Sequence, residues 1–158
     1  MVKQIHDAAS SSLQEPFDLI GYSMGARLAL SYALAKQGNV RSLILIGGSP
    51  GIQDDFARHQ RALDDTRKAA LLEDKGLLEF VNIWETQRIF STQRLLSSDK
   101  LLAQRRARLS TNPMGIISHL RASGAGAMRP LWERLHEIKI PVLLVVGLSL
   151  IHISEPTR

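Results

Sequence analysis

Phe17-Asp18-Leu19-Ile20-Gly21-Tyr22-Ser23-Met24-Gly25-Ala26-Arg27 is the stretch on which the fold of this 158-residue chain turns. A short apolar run, Phe17 to Ile20, leads straight into Gly-x-Ser-x-Gly at 21–25. Ala26 to Lys36 then continues rich in Ala and Leu and free of Gly and Pro. That order predicts a strand, a tight turn and a helix. In such a corner a serine is held in a strained backbone conformation with its hydroxyl in the open, and a Cβ at either outer glycine would collide with the neighbouring strand and helix. Ser23 is therefore read as a nucleophile or base, and the backbone N–H of Met24 as one of two oxyanion donors. The helix N-terminus favours negative charge at the same spot. A chance glycine loop gives the same five letters, so the flanks carry the assignment.

Downstream, the helix stops at Gly38-Asn39. Val40 to Ile46 reads as a buried strand closed by Gly47-Gly48 and Ser49-Pro50-Gly51. Strand, helix, strand is the order of a parallel βαβ unit. Upstream, Val2 to Leu13 carries a weak helical pattern and Gln14-Glu15-Pro16 a turn. From Asp54 to about Arg108 the chain is polar and charged, with apolar residues at helical intervals and no proline, which predicts several inserted helices. Asn112-Pro113 opens another helix, with the proline in its first turn, and Gly124-Ala125-Gly126 breaks it. Pro130 starts a helix over Leu131 to Ile138, and Ile140 to Val146 is a last parallel-type strand ending at Gly147.

The fold class expected is α/β, a parallel sheet flanked by helices with an inserted helical cap. Residues 1–53 form core with the elbow, 54–112 the cap, 113–147 a return to the core, and 148–158 a tail.

With 44% hydrophobic and 22% charged residues and no cysteine, the composition is that of a globular domain. It excludes collagen, low-complexity disorder, a disulfide scaffold and thiol chemistry. No apolar run reaches the ~18 residues of a membrane span, and the N-terminus lacks the apolar core of a secretory signal. The expectation is a cytoplasmic protein with no membrane partner.

The net charge of +5 raises nucleic acid as a partner. Residues 1–55 hold four Lys/Arg against five Asp/Glu, 56–108 eleven against seven, and 109–158 five against three. The excess in the middle is interleaved with acids at helical spacing, and aromatic residues for stacking bases are few. Nucleic acid is therefore not expected. Arginine there suits carboxylates, onto which a guanidinium forks with two parallel hydrogen bonds. No oligomeric state can be read.

Five blocks in order carry a resemblance: Gly-Tyr-Ser-Met-Gly-Ala-Arg (21–27), Gly-Gly-Ser-Pro-Gly-Ile (47–52), Phe-Val-Asn-Ile-Trp-Glu (80–85), Arg-Leu-Ser-Thr-Asn-Pro-Met-Gly (108–115) and Leu-Arg-Ala-Ser-Gly-Ala-Gly (120–126). With them the chain resembles the α/β-hydrolase superfamily and, within it, the 2-succinyl-6-hydroxy-2,4-cyclohexadiene-1-carboxylate synthase family of menaquinone (vitamin K2) biosynthesis. The resemblance implies a lyase that eliminates pyruvate from a succinyl-bearing cyclohexene dicarboxylate, without metal or organic cofactor, the serine acting as base on a ring proton. A carboxylic-ester or thioester hydrolase of the same superfamily is the alternative.

The resemblance further implies that the small anionic dicarboxylate is bound by Arg27, one helical turn beyond Ser23, by Arg61 and by Arg108. Arg58 competes with Arg61 for its role and Ser110 with Arg108. Trp84 matches a tryptophan that covers the substrate, with core packing as the other reading. Tyr22 shapes the cleft beside Ser23 or packs on the sheet.

A Ser-His-Asp constellation needs a histidine to take the proton and a carboxylate to orient it, and in this superfamily both follow late strands. Here no aspartate follows Asp99. His152 and Glu155 are misplaced for the roles, while His6, His59, His119 and His136 read as surface or packing residues. Leu148 to Arg158 resembles the translated read of a transposon adapter. The strands and the His-Gly loop that ordinarily precede the elbow are also absent. The chain is thus expected to be a fragment, cut at both ends and inactive by itself.

Overall fold

The computed structural model describes residues 2–13, 16–36 and 39–147, which divide into two compact units, one of the described residues up to 53 together with 129–147 and the other of 54–128. The turn at Gln14-Glu15, the glycine stop at Gly38, His152, Glu155 and the tail fall outside the described residues.

The first unit is built on a sheet of three parallel strands, β1 (Phe17–Tyr22), β2 (Val40–Ile46) and β3 (Val142–Val145), in the order β1-β2-β3. Helix α1 (Val2–Ser12) precedes β1, and α2 (Met24–Ala35) joins β1 to β2. Side chains alternate across a strand, so Leu19, Leu43 and Leu45 share one face. There they meet the small and branched residues Ala29, Leu30, Ala33 and Leu34 of α2. Ala9 of α1 completes a second cluster with Phe17, Tyr32 and Val40. The opposite face carries Ile20, Tyr22, Leu143 and Val145, all exposed.

Strand β2 has only Val40 and Leu43 fully buried. Strand β3 is shorter than the expected Ile140–Val146: Pro141 has no N–H for a ladder, and its carbonyl instead accepts from Leu43 N at 2.9 Å. The helix expected over Leu131–Ile138 is a shorter 3₁₀ helix, Trp132–Glu137.

The second unit contains α3 (Asp55–Glu85), a 3₁₀ helix (Arg88–Leu95), α4 (Ser98–Leu109) and α5 (Pro113–Ser123). Asp54 caps α3 by accepting from Ala57 N at 2.7 Å, and α3 kinks at Gly76, whose φ is 78°. Asn112 caps α5 with Pro113 in its first turn. Helix α5, at the point where the sequence suggests a return to the core, packs on α3. Ile117 of α5 is buried with Ala69, Leu72 and Phe80 of α3, and Arg121 pairs with Glu73 at 2.6 Å, so the helical unit runs to Met128.

Candidate active site

Ser23 sits between β1 and α2 with φ 52° and ψ −113°, and among the described residues it is the non-glycine residue with positive φ. Such a conformation costs of order 1–3 kcal/mol and persists only where its surroundings impose it. They do so here through two main-chain bonds. Ser23 N donates to Ile46 O at 2.8 Å, tying the corner to the end of β2, and Ser23 O accepts from Ala26 N at 3.1 Å. The serine is exposed. Helix α2 begins at Met24, so the Met24 amide lies in the first turn, where N–H groups have no acceptor within the helix.

A Cβ on Gly21 would lie 2.4 Å from Gly25 O and 2.6 Å from the Ala26 Cα, so strand and helix touch only because this residue has none. The same expectation for Gly25 is corrected. A Cβ there meets nothing within 4 Å, because it projects from the first turn of α2 rather than toward the strand. The glycine that sequence reading missed is Gly48. Its Cβ would fall 2.4 Å from the Ala26 Cβ and 3.3 Å from Ser23 O, so the loop after β2 crosses directly over the elbow. That loop is fastened by Leu131 N to Pro50 O at 2.8 Å and by Trp132 Nε1 to Gly51 O at 2.9 Å.

Tyr22, at the end of β1, is 73% exposed. Arg27 stands one turn into α2, and its carbonyl accepts from Ser31 Oγ at 2.8 Å. The structure thus brings Tyr22, Ser23, Met24 and Arg27 to one corner of the sheet unit. Arg61, Trp84 and Arg108 belong to the helical unit.

In that unit, Trp84 stacks on Phe80 with centroids 5.8 Å apart and leans on Phe90 at 5.7 Å, while the Arg108 guanidinium lies 5.2 Å above the same Phe90 ring. Trp84 is half-buried in this aromatic stack. Arg108 is no solvated helix residue. It donates to Glu85 Oε1 at 2.8 Å and to Gln93 Oε1 at 3.0 Å, and Arg105 takes the other Glu85 oxygen and Asn82 Oδ1. Burial pushes the Glu85 carboxyl up, but hydrogen bonds from Arg108 and Arg105 outweigh it and leave the group below the usual carboxylate range. Glu85, Arg88, Phe90, Gln93, Arg105 and Arg108 line a cavity of about 500 Å³. Ser110, the competitor of Arg108, bonds back to Ala107 O of its own helix. Arg61 lies before the Gly76 kink and bonds Asp65, whereas Arg58 pairs with the exposed Asp55.

A sequence profile of the alpha/beta hydrolase fold matches residues 1–149. The chain belongs to the α/β-hydrolase fold family. As an α/β hydrolase it is 38% identical over 145 residues to a Bacillus subtilis (strain 168) protein provisionally named 2-succinyl-6-hydroxy-2,4-cyclohexadiene-1-carboxylate synthase, covering 87% of this chain and 53% of that protein. It superposes on MenH from S. aureus with a TM-score of 0.89 at 35% identity, over 94% of this chain and 56% of that one. An esterase from Exiguobacterium antarcticum, at TM-score 0.66 and 18% identity over 97% of this chain and 59% of its own, shares the fold. The chain spans about half the length of the relatives it matches.

The described histidines of this α/β hydrolase have other surroundings. His6 Nδ1 lies 3.2 Å from the Tyr32 hydroxyl and His119 Nδ1 2.7 Å from Ser123 Oγ, while His59 and His136 are exposed. No helix among the described residues is long and apolar enough to cross a membrane.

Proposed function

We propose that this chain is part of a lyase that eliminates pyruvate from a succinyl-bearing cyclohexene dicarboxylate, giving 2-succinyl-6-hydroxy-2,4-cyclohexadiene-1-carboxylate in menaquinone biosynthesis. The observation that carries the reading is the likeness to S. aureus MenH, at TM-score 0.89 and 35% identity. The Bacillus subtilis relative bears the corresponding synthase name. In this reading Ser23 is the base that takes a ring proton, and the Met24 amide supports developing negative charge. Arg27, Arg61 and Arg108 bind the carboxylates, with Tyr22 and Trp84 against the ring. A multiply charged substrate accounts for arginines where an acyl pocket would be apolar. We place the reaction in the cytoplasm, in keeping with the cysteine-free composition.

The test is pyruvate release by the full-length enzyme supplied with the succinyl substrate. Turnover that Ser23→Ala abolishes and Arg27→Ala cuts severely supports the lyase. Cleavage of simple esters without pyruvate release overturns it in favour of a hydrolase. Residues 1–158 alone are expected to release none, since no aspartate follows Asp99 to orient a histidine.

A further inference from the structure

We infer that Asp65 is the positioning residue for Arg61: buried beneath the Gly124–Gly126 turn, it grips the guanidinium at Nε and leaves both terminal amino groups to fork onto a substrate carboxylate. The inference rests on reading Arg61 as a substrate arginine.

Asp65 is the buried acid among the described residues, at 1% exposure. Its Oδ1 accepts from Arg61 Nε at 2.8 Å, and its Oδ2 is buried with no hydrogen-bond partner. A half-satisfied buried carboxylate is a poor way to gain stability, because desolvation is unfavourable and one oxygen gains nothing in return. Ordinary i,i+4 pairs on a helix stay in water, as Arg67 and Asp64 nearly do at i,i+3.

Two glycines keep Asp65 out of water. A Cβ on Gly124 would lie 2.4 Å from Asp65 Oδ2, and one on Gly126 would lie 2.2 Å from Ala62 N. The turn after α5 therefore lies flat on α3 over this one turn of helix. The result is asymmetric: the Asp65 side chain is 2% exposed and that of Arg61 42%. One end of the pair is fixed in the unit while the other faces out. Among the described residues the Arg61 terminal nitrogens have no hydrogen bond or ion pair, which is the fork a carboxylate needs. Arg58, one turn earlier, is instead held by an aspartate that is 87% exposed. On this inference Arg61, gripped at Nε by a buried aspartate, takes the substrate role for which Arg58 competes.

The test compares Asp65→Asn, Gly124→Ala, Arg61→Ala and the Asp65→Asn/Arg61→Ala double variant of the full-length enzyme. Affinity for phthalate, a cyclic dicarboxylate, is read by calorimetry, KM and kcat by pyruvate release, and folding by thermal melting. Expected is about a tenfold loss of phthalate affinity and a similar rise in KM for Asp65→Asn and Gly124→Ala, with kcat within about threefold of wild type. The double variant should be no worse than Arg61→Ala alone. Additive losses, unchanged affinity in Asp65→Asn, or no phthalate binding by the wild type overturn the proposal. Should either single variant melt early, phthalate affinity is read well below its melting temperature, where the protein is fully folded, so that loss of fold and loss of positioning are told apart. Phthalate binding that depends on both residues, without pyruvate release, would count against the lyase reading and leave the Asp65–Arg61 pairing standing.

Discussion

Glu85 binds Arg108 through Oε1 at 2.8 Å while its other oxygen holds Arg105, so one carboxylate aligns two guanidiniums at the wall of the helical-unit cavity. The three residues come from α3 and α4, with Phe90 between Arg108 and Trp84. Removing the acid leaves two like charges side by side. Glu85→Ala is expected to lower stability by about 1–2 kcal/mol in urea unfolding, since the network is only partly buried. Because the Glu85 carboxyl is held below its ordinary range, this contribution is present above about pH 4.3 and fades as pH falls below it.

Ser23→Gly separates strain from chemistry. Glycine occupies positive φ without penalty, so the variant is expected to be more stable by about 1 kcal/mol in denaturant unfolding. Its full-length counterpart should lose at least about 100-fold in turnover, the range of a lost general base.

Gly21→Ala and Gly25→Ala are expected to differ sharply although both change the same motif. The first drives a methyl to 2.4 Å from main-chain oxygen and should destabilise by about 2–3 kcal/mol or prevent folding. The second meets open space at the start of α2 and should be neutral or stabilising by up to about 1 kcal/mol. Circular dichroism melting of the two variants checks this.

Asp18, on β1, accepts from Arg41 Nε at 3.0 Å and from Ser42 Oγ at 2.7 Å, both on β2. Those bonds, Arg41 first, hold its carboxyl down to about 2. The folded-state pKa lies below the unfolded one of about 3.9, so the stabilisation is full above pH 4 and disappears toward pH 2. Asp18→Asn should flatten the acid limb of stability in that window, modestly because the pair is exposed.

The elbow was legible because every signal for it is local: an apolar run, two glycines around a serine, and an alanine-rich stretch lie within twenty residues. The end of the helical unit was not. The apolar face of α5, with Ile116, Ile117 and Leu120, announces burial without naming its partner, and α3 supplies one within its own unit. Asp65 was hidden for a related reason. On a charged helix an Arg61–Asp65 spacing reads as a surface pair, and only the approach of Gly124 and Gly126 some sixty residues later makes it a buried one. Glu85 gave no signal either, since its two arginines lie 20 and 23 residues away.

The two tryptophans of the chain fall one to each unit: Trp84 in the aromatic stack with Phe80 and Phe90, and Trp132 with its indole N–H on the Gly51 carbonyl. The loop clamp described above thus doubles as an optical label. Emission from Trp132 in a Trp84→Phe background follows the sheet unit, and emission from Trp84 in Trp132→Phe follows the helical one. Intrinsic fluorescence alone can therefore time the melting of each half separately.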